Sequence, residues 1–487
     1  MRIKNREMLV SHGYLAGRKN MAEILEAGLM AADPYCNTRE LFHLEGNLLS
    51  IGSPEFEADG DPRTGTEVID LSQIEHIYVA GAAKGVQRMA KAIEDVLGEW
   101  LTGGHVIGKY GDSTELTRIG ITLGSHPTPD EGCVEGCRRI LELSGKVTEK
   151  DLVITIIGNG GSSLLTYPSE GITIQEVRDF TYMMQIEKGV PTIELNVVRN
   201  HIDQLKGGRL TRLFSKAKVI CLDCVDANDF RMRGVRENWQ ILMHENRWLH
   251  NLPDETTFAD ALAVIEKYEA EERTPESILK HLRTAAPEEE TVHFQEFQEF
   301  DTRMFGITPK SRDFMEVSKR KAEELGYRAL TFAHVEAVES VQAARIFASV
   351  VKHTLEIGEP FQAPVALFIG EEMVVEVGKS KGVGGRNQEY ALMMAKLLAG
   401  QERVTVGAVD TDGTDGPGGL RLEGAPGCLA GGIIDGQTWE EAKKREVDIE
   451  HALATHNTSE ALWRLGCGVA AEQNVSMGDL GVILIDV

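Results

Sequence analysis

The chain has 487 residues, of which 42% are hydrophobic and 26% charged, and its formal net charge at pH 7 is -25. This length is typical of two or three domains, and the composition is typical of a folded globular protein. A charge of this sign repels nucleic acid backbones and anionic membrane surfaces, and no run of about 18 apolar residues predicts a membrane span. We therefore expect neither a nucleic acid nor a membrane partner. The polar first residues lack the apolar core of a secretion signal, which predicts a cytoplasmic protein.

The seven cysteines are an odd number in a long chain, which is typical of reduced thiols rather than of a disulfide framework. Cys133 and Cys137 are one turn apart in a predicted helix, while Cys221 and Cys224 form a CxxC pattern at a predicted strand. Structural zinc sites usually take their thiolates from short-spaced pairs at turns. Buried thiols are therefore the favoured interpretation, and a metal site is the alternative.

The first half of the chain repeats the order of strand, glycine loop and helix. A short apolar run and a glycine turn precede apolar residues at helical spacing over 86–97. A second apolar strand is predicted at Leu152–Ile157, and Thr173 with Glu176 predicts a capping box at the next helix. Residues 218–225 predict a third buried strand. Such strands, alternating with amphipathic helices, indicate a mainly parallel sheet covered by helices on both faces.

The composition divides the chain into two α/β domains. We predict a larger N-terminal domain over 1–300, in which the acidic stretch 265–300 is a linker or variable excursion. A smaller α/β domain is predicted within residues 301–487. It is expected to contain a hairpin at 363–376 and to end in a buried strand at 482–487.

Two loops after predicted strands of the N-terminal domain are candidate anion sites. Lys84 lies in a strand-to-helix turn, hence at the carboxyl end of a parallel sheet, where open α/β sheets bind ligands. A solvated surface lysine is the alternative. In the loop 158–163, the residues Gly160, Gly161 and Ser162 would let backbone N–H groups approach a phosphate. A simple tight turn explains the same pattern equally well. It is not a Walker A loop, because no lysine follows the last glycine.

A third candidate is the segment 196–210, which places Arg199, His201, Lys206 and Arg209 within eleven residues of this acidic protein. Such a cluster suggests an anionic ligand. The alternative is a helix that stops at its glycine pair, with basic residues that complement the helix dipole.

Two further candidates lie in the C-terminal domain. Asp410, Asp412 and Asp415 share a glycine-rich loop after an apolar strand, and clustered carboxylates predict a site for magnesium. A polar turn that caps a helix is the alternative. Arg386 precedes an apolar helix and offers a guanidinium group to an anion.

Seven segments, in order along nearly the whole chain, resemble the glycerate 2-kinases, which combine a glycerate kinase-like N-terminal region with a C-terminal MOFRL domain. They are GAAKG at Lys84, HPTPDEG at His126, GGSSLL at Gly160, NVVRNHIDQLKGGRL from Asn196, PDETTFADAL from Pro253, GVGGRNQEYAL from Gly382 and TDGTDGP from Thr411. The resemblance implies phosphorylation of D-glycerate at its 2-hydroxyl group by ATP with magnesium. It also implies a site in the cleft between two α/β domains, and a MOFRL-type domain at about 363–487.

Matched motif by motif, the resemblance implies functional roles for Lys84, Glu372, Arg386 and Asp412. The family's SDVxGDD segment begins here at Asp223. In strict register its aspartate falls on Cys224. Asp223 or Asp226 could replace it after a small shift, and Asp223 is the residue included in the prediction. The full prediction assigns catalysis to Lys84, Arg386, Asp412 and Asp223, and ligand binding to Gly160, Gly161, Ser162, Asn196, Arg199, Lys206, Glu372 and Ser476.

Three segments depart from the family pattern. The SGGGS loop reads GNGGS, the GPTGTNVND segment has Ser476 where asparagine is expected, and a longer insert at 230–251 replaces the ASGPT loop. The insert carries three arginines: Arg231, Arg233 and Arg236. A pocket wall with this charge predicts a substrate with an additional anionic or strongly hydrogen-bonding group, and D-glycerate itself as a poor substrate.

The leading hypothesis is thus an ATP-dependent kinase of a small hydroxy acid. One alternative is an NAD(P)H-dependent enzyme resembling hydroxypyruvate reductase, a label that some relatives carry, but no GxGxxG pattern with a later acidic residue follows a predicted strand. The other alternative is a non-catalytic relative that binds a small molecule. The sequence leaves open which hydroxy acid is used and whether the chain is a homo-oligomer.

Overall fold

The structure is a computed structural model that describes residues 1–111, 115–224, 239–472 and 478–487. Its strands are β1 (Phe42–Glu45), β2 (Leu48–Ile51), β3 (Glu67–Asp70), β4 (Ile77–Ala82), β5 (Gly103–Lys109), β6 (Ile119–Gly124), β7 (Leu152–Ile157), β8 (Lys218–Asp223), β9 (Thr302–Gly306), β10 (Arg328–Glu339), β11 (Val365–Val374), β12 (Val404–Asp410), β13 (Gly431–Asp435), β14 (Gly468–Val469) and β15 (Asp479–Ile485).

The helices of the described residues are α1 (Arg6–Leu9), α2 (Leu15–Ala31), α3 (Pro34–Leu41), α4 (Val86–Leu97), α5 (Glu131–Ser144), α6 (Gly161–Leu164), α7 (Ile174–Thr181), α8 (Thr192–His201), α9 (Arg209–Phe214), α10 (Trp239–His244), α11 (Phe258–Lys267), α12 (Glu276–Thr284), α13 (Phe294–Phe297), α14 (Phe314–Glu324), α15 (Ser340–Ile357), α16 (Arg386–Leu397), α17 (Thr438–Lys444), α18 (Ile449–Ala454) and α19 (Thr458–Arg464). Over this part of the chain, no helix has the length and apolar character that crossing a bilayer requires.

The described residues form two compact units. The larger unit contains those between 34 and 311. Its six-stranded sheet has the order β6-β5-β4-β7-β8-β9, and every neighbouring pair is parallel. Strands β4 and β7 are buried along their whole length, which agrees with their continuous apolar sequences. The predicted parallel sheet flanked by helices is confirmed.

The strand order places a topological switch point between β4 and β7. From β4 the chain continues outward to β5 and β6, and it then returns to add β7, β8 and β9 on the other side. In open α/β sheets, ligands bind beyond the carboxyl ends of the strands at such a point. The loops after β4 and β7, which contain Lys84 and Gly160, therefore lie where the fold favours a ligand site.

Two local predictions in the larger unit have different outcomes. The capping box of α7 is confirmed, because Thr173 Oγ1 accepts the Glu176 N–H at 3.2 Å and Glu176 Oε2 accepts the Thr173 N–H at 2.7 Å. Of the two alternatives for 265–300, a linker or a variable excursion, the linker is wrong. This stretch forms α12 and α13 and buries Ile278 and Leu282 in an apolar cluster. Most of its acidic residues are exposed on short helices and turns, so a high charge density is compatible with a packed segment.

The smaller unit contains Met1–Asp33 and Arg312–Val487. Its sheet has the order β10-β11-β15-β12-β13-β14, in which β10 and β11 are parallel and the other pairs are antiparallel. Strands β12 and β15 are fully buried, and α16 packs against the sheet with Tyr390 and Leu392 in its core.

Three expectations for the smaller unit are corrected. The predicted hairpin at 363–376 is a single strand, β11, between β10 and β15, because its partners are distant in sequence. The last strand covers Asp479–Ile485 rather than 482–487. The first 33 residues belong to this unit instead of a continuous domain over 1–300, since Arg18 of α2 forms a fully buried ion pair with Asp435 of β13.

Candidate functional site

Lys84 and the glycine loop lie side by side at the switch point of the larger unit. The Lys84 N–H donates a hydrogen bond to the Asn159 carbonyl oxygen at 2.9 Å. Gly160 has a left-handed φ of 85°, and a Cβ atom there would lie only 2.9 Å from Lys84 Cγ and 3.4 Å from the His126 ring. Glycine is therefore needed at this position both for its backbone angle and for space. The structure thus brings together Lys84 and Gly160, which the sequence placed about 75 residues apart in separate motifs.

A buried polar network lies behind the glycine loop. Asn196 Nδ2 donates to Ser162 Oγ at 2.9 Å, and His250 Nε2 lies 3.2 Å from the same oxygen. Arg199 Nη1 donates to Asn196 Oδ1 at 3.3 Å, while its Nη2 donates to Gln185 Oε1 at 2.8 Å. We refer to Ser162, Asn196, Arg199 and His250 as the Ser162 network.

The network carries a positive charge that has no counter-charge among the described residues. Arg199 is only 5% exposed, and none of the described carboxylates lies within 4.0 Å of its guanidinium group. Burial lowers the pKa of Arg199 to about 9, so the group remains mostly protonated at neutral pH. Burial also lowers the pKa of His250 well below its usual range, with smaller contributions from Lys206 and Arg199, which keeps this imidazole neutral.

Asp223 and Cys224 lie at the end of β8, next to the carboxyl end of β7. Asp223 is fully buried, and neither carboxylate oxygen accepts a hydrogen bond of normal geometry from the described residues. Burial raises the pKa of Asp223 to about 8, and the nearby Asn251 amide opposes this shift. Cys224 Sγ instead lies 3.3 Å from Met89 Sδ, and its side chain fills the space beside Gly158. The two residues thus occupy different environments, as expected for neighbours on a strand.

Lys206 forms a buried ion pair within its own segment. Its Nζ pairs with Asp203 Oδ2 at 2.6 Å and donates to Thr166 Oγ1 at 2.8 Å, and the whole side chain is buried. Arg209 donates to the backbone carbonyls of Asn200 at 2.6 Å and Lys206 at 3.0 Å. These contacts favour the alternative for this half of the segment, in which basic residues hold their own loop together, and the ligand-binding role of Lys206 stays a prediction.

In the smaller unit, Arg386 begins α16 and is surrounded by carboxylates. Its Nη2 donates to Asp479 Oδ1 at 2.9 Å and lies 3.5 Å from Asp410 Oδ2. Its Nη1 lies 3.8 Å from Glu372 Oε1. Burial by itself would lower the pKa of Arg386, but the charges of Asp479, Asp410 and Glu372 hold it well above its usual range. Sequence analysis missed Asp479, since it begins an otherwise apolar buried strand.

The three aspartates of the 410–415 loop do not form a common metal site. Both Asp415 oxygens face the start of α16, where they accept the N–H groups of Asn387 at 3.3 Å and Gln388 at 2.9 Å. Asp412 Oδ1 accepts the N–H and hydroxyl of Thr414, each at 2.7 Å. In the described ranges, no three acidic, histidine or cysteine side chains are grouped as metal ligands. The predicted set of three magnesium ligands is therefore corrected, and Asp415 caps a helix.

Part of the prediction falls outside the described residues. Ser476 and the three arginines Arg231, Arg233 and Arg236 lie outside the described residues. The end of the 230–251 insert is described, and it supplies His250 and Asn251, which sequence analysis did not select. Their only sequence signal is their position immediately before the PDETTFADAL segment.

The four weighed cysteines are all buried. Cys133 and Cys137 lie on α5, and Cys221 and Cys224 lie at β8. Burial raises the pKa of both Cys133 and Cys221 to about 12, which makes these thiols unreactive. The prediction that these four cysteines are buried is confirmed.

The parallel sheet defines an α/β protein with a lysine and a glycine loop at the switch point, which is where open α/β sheets bind ligands. A model described as a domain of unknown function (DUF4147) matches residues 20–229, and the MOFRL family model matches residues 365–475. The chain is 31% identical to a glycerate 2-kinase from Pyrococcus horikoshii over 90% of both chains. It is 32% identical to a D-glycerate 2-kinase from Thermotoga maritima, over 86% of this chain and 92% of that one.

A solved structure of a glycerate kinase is also similar to this chain. The crystal structure of a glycerate kinase from Thermotoga maritima superposes with a TM-score of 0.70 at 29% identity, and the match covers 96% of this chain and 99% of the other. The chain belongs to the glycerate 2-kinase family.

Proposed function

We propose that this protein is a kinase that transfers the γ-phosphoryl group of ATP to a hydroxyl group of D-glycerate or of a closely related hydroxy acid. The observation that carries the proposal is the pairing of Lys84 with the glycine loop at the switch point, in a chain that belongs to the glycerate 2-kinase family. A relative from Agrobacterium vitis with a provisional hydroxypyruvate reductase name is less similar, at 27% identity. No feature of the described residues favours that activity over phosphoryl transfer.

In the proposed reaction, the substrate hydroxyl oxygen forms a bond to the γ-phosphorus of ATP, the bond from that phosphorus to the β-phosphate oxygen breaks, and ADP leaves. Phosphoryl transfer depends mainly on positioning and on neutralising the charge of the phosphates. We assign charge neutralisation to Lys84 and phosphate contact to the backbone around Gly160 and Gly161. Asp223 is the proposed acceptor of the hydroxyl proton, because it is a buried carboxyl group at the adjacent strand end.

Magnesium enters the proposal as part of the MgATP substrate, since Mg²⁺ is usually held by one or two carboxylates together with phosphates. The loop 410–415 does not present three free carboxylates, so we assign no step to them as metal ligands. The family resemblance supports roles for Arg386, Glu372 and Asp412. A cytoplasmic location is proposed because the seven cysteines are an odd number, which suits reduced thiols and a reducing compartment.

A coupled assay for ADP formation with D-glycerate tests the proposal. Lys84→Met should lower kcat/KM at least about a hundredfold, as expected when a charge aimed at the transferring phosphoryl group is lost. Lys146→Met is the matched control, because Lys146 is an exposed lysine of the same unit. Normal turnover in a folded Lys84→Met variant would exclude the assigned role of Lys84, and a wild-type protein inactive on every hydroxy acid offered would exclude the kinase itself.

The same assay tests the prediction drawn from the insert. If the wall formed by 230–251 selects an additional anionic group, larger sugar acids should give a higher kcat/KM than D-glycerate. A value for D-glycerate above about 10⁴ M⁻¹s⁻¹, at the lower end of the usual enzyme range, would contradict this prediction.

A further inference from the structure

We propose that the Ser162 network binds the carboxylate group of the hydroxy acid, and that His250 is a specificity-determining residue of this subsite. The proposal rests on the proposed kinase function and deepens it by naming the group of the substrate that is recognised. His250 has no counterpart among the motifs shared with the family, because it belongs to the segment that replaces the ASGPT loop.

The first argument is the unbalanced charge. A buried guanidinium group without a counter-charge is strongly destabilising, and proteins normally pair such a group. Lys206, nearby in sequence, shows the usual solution, since Asp203 neutralises it at 2.6 Å. Arg199 is bound only by the neutral amides of Asn196 and Gln185 among the described residues. An anion is therefore the missing partner of Arg199.

The second argument is a count of hydrogen-bond donors. Asn196 Oδ1 accepts from Arg199, so its Nδ2 must donate to Ser162 Oγ. If Ser162 then donates to His250 Nε2, the ring proton lies on Nδ1, which is buried and has no partner in the described residues. If Nε2 donates instead, the Ser162 hydroxyl hydrogen has no acceptor among the side chains and carbonyl groups of the described residues. In both arrangements one donor lacks an acceptor, and a ligand oxygen would complete the network.

The third argument concerns which anion fits. The network has one formal positive charge, a planar guanidinium group and neutral donors, a set that matches a singly charged, planar carboxylate. A triphosphate carries several charges and would leave most of them unbalanced there. Lys84, a flexible point charge at the glycine loop, suits a phosphate better. A phosphate of the nucleotide is the other source of an anionic oxygen, and the experiment separates the two.

The position of His250 explains why it would affect specificity. Its ring lies against the glycine loop, with Cδ2 3.8 Å from the position of a Cβ atom at Gly161. The next residue, Asn251, donates through Nδ2 to Thr155 Oγ1 of β7 at 3.2 Å, which ties this segment to the sheet. The imidazole is thus held in place beside the loop rather than exposed in a mobile segment.

The test is isothermal titration calorimetry of the full chain with two separate probes: D-glycerate, and a non-hydrolysable ATP analogue with magnesium. Arg199→Met and Ser162→Ala should each weaken D-glycerate binding at least about tenfold, the usual effect of losing a charge-assisted hydrogen bond, and leave the affinity for the analogue within about twofold. His250→Gln should weaken D-glycerate binding less and change the preference among hydroxy acids. Arg138→Met, at an exposed arginine on α5, is the control.

Steady-state kinetics give a second measurement, which does not depend on the Arg199→Met variant. Ser162→Ala and His250→Gln should raise KM for D-glycerate and leave KM for ATP unchanged. Weaker binding of the analogue with normal binding of D-glycerate would overturn the proposal in favour of a phosphate subsite. Normal D-glycerate binding by folded variants of an active kinase would overturn the subsite alone, whereas an inactive wild-type protein would overturn the proposed function.

Discussion

The pKa of Asp223 depends strongly on the burial of its side chain. It lies at the end of β8 with no normal hydrogen bond from the described residues, and burial raises its pKa to about 8. A carboxyl group with this pKa titrates close to physiological pH, which suits a general base. It must be ionised to accept a proton, so kcat/KM should rise with pH and level off above about pH 8.

We expect Asp223→Asn to lower the activity and to raise the stability at alkaline pH. The pKa of Asp223 is higher in the folded than in the unfolded chain, so its contribution to stability is full below about pH 4 and is lost as the pH rises toward 8. Asparagine stays neutral and has the same shape. The variant should therefore lose most activity, and its Tm at pH 8.5 should exceed that of the wild type by several degrees.

The control for this prediction is Asp179→Asn, at an exposed aspartate of α7. It should change neither activity nor Tm. An Asp223→Asn variant with wild-type turnover would show that Asp223 is not the base. A lower Tm at pH 8.5 would show that the buried carboxylate is stabilised by partners beyond the described residues.

Helix α16 illustrates a cap supplied from a distant loop. Its first turn carries the GGRNQE motif, and Asp415 accepts the N–H groups of Asn387 and Gln388. A carboxylate at a helix start satisfies free N–H groups and interacts favourably with the helix dipole. Burial, together with the charge of Asp479, nevertheless raises the pKa of Asp415 to about 7.

We expect Asp415→Ala to destabilise the protein by about 1–2 kcal/mol, the usual effect of losing a helix cap. Asp415→Asn keeps an acceptor and should be milder. Chemical denaturation measures both effects. The magnesium concentration that gives half-maximal activity should not change in Asp415→Asn, and a large increase there would restore Asp415 as a metal ligand.

The accessibility of the seven thiols to a reagent tests the packing of both units. Of the seven cysteines, Cys36 is exposed and Cys428 partly exposed, while the other five are buried. A thiol reagent should therefore modify about two thiols quickly in the native protein and the remainder only after denaturation. Release of a metal ion together with the slow thiols, followed with a metal-sensitive dye, would instead support the metal-site alternative for Cys133, Cys137, Cys221 and Cys224.

The sequence alone was sufficient for features that depend on short-range patterns. It located the strands β4, β7 and β8, the helix after Lys84 and the capping box at Thr173, since each is encoded by residues within one or two turns or strand lengths. It also placed Lys84 and Gly160 after two strands of one parallel sheet, which is enough to select them as ligand candidates.

Only the tertiary structure determined which groups meet. The strand order that makes β4 and β7 a switch point, the membership of α2 in the smaller unit and the strand β11 all depend on partners far away in sequence. A hydrophobic pattern gives the period of an element and its buried face, but not its neighbour. For the same reason, the sequence could not show that Lys206 is neutralised by Asp203 whereas Arg199, in the same motif, has no described counter-charge. That difference arises from burial and long-range packing, because the free energy of a buried charge depends on the groups that the fold places around it.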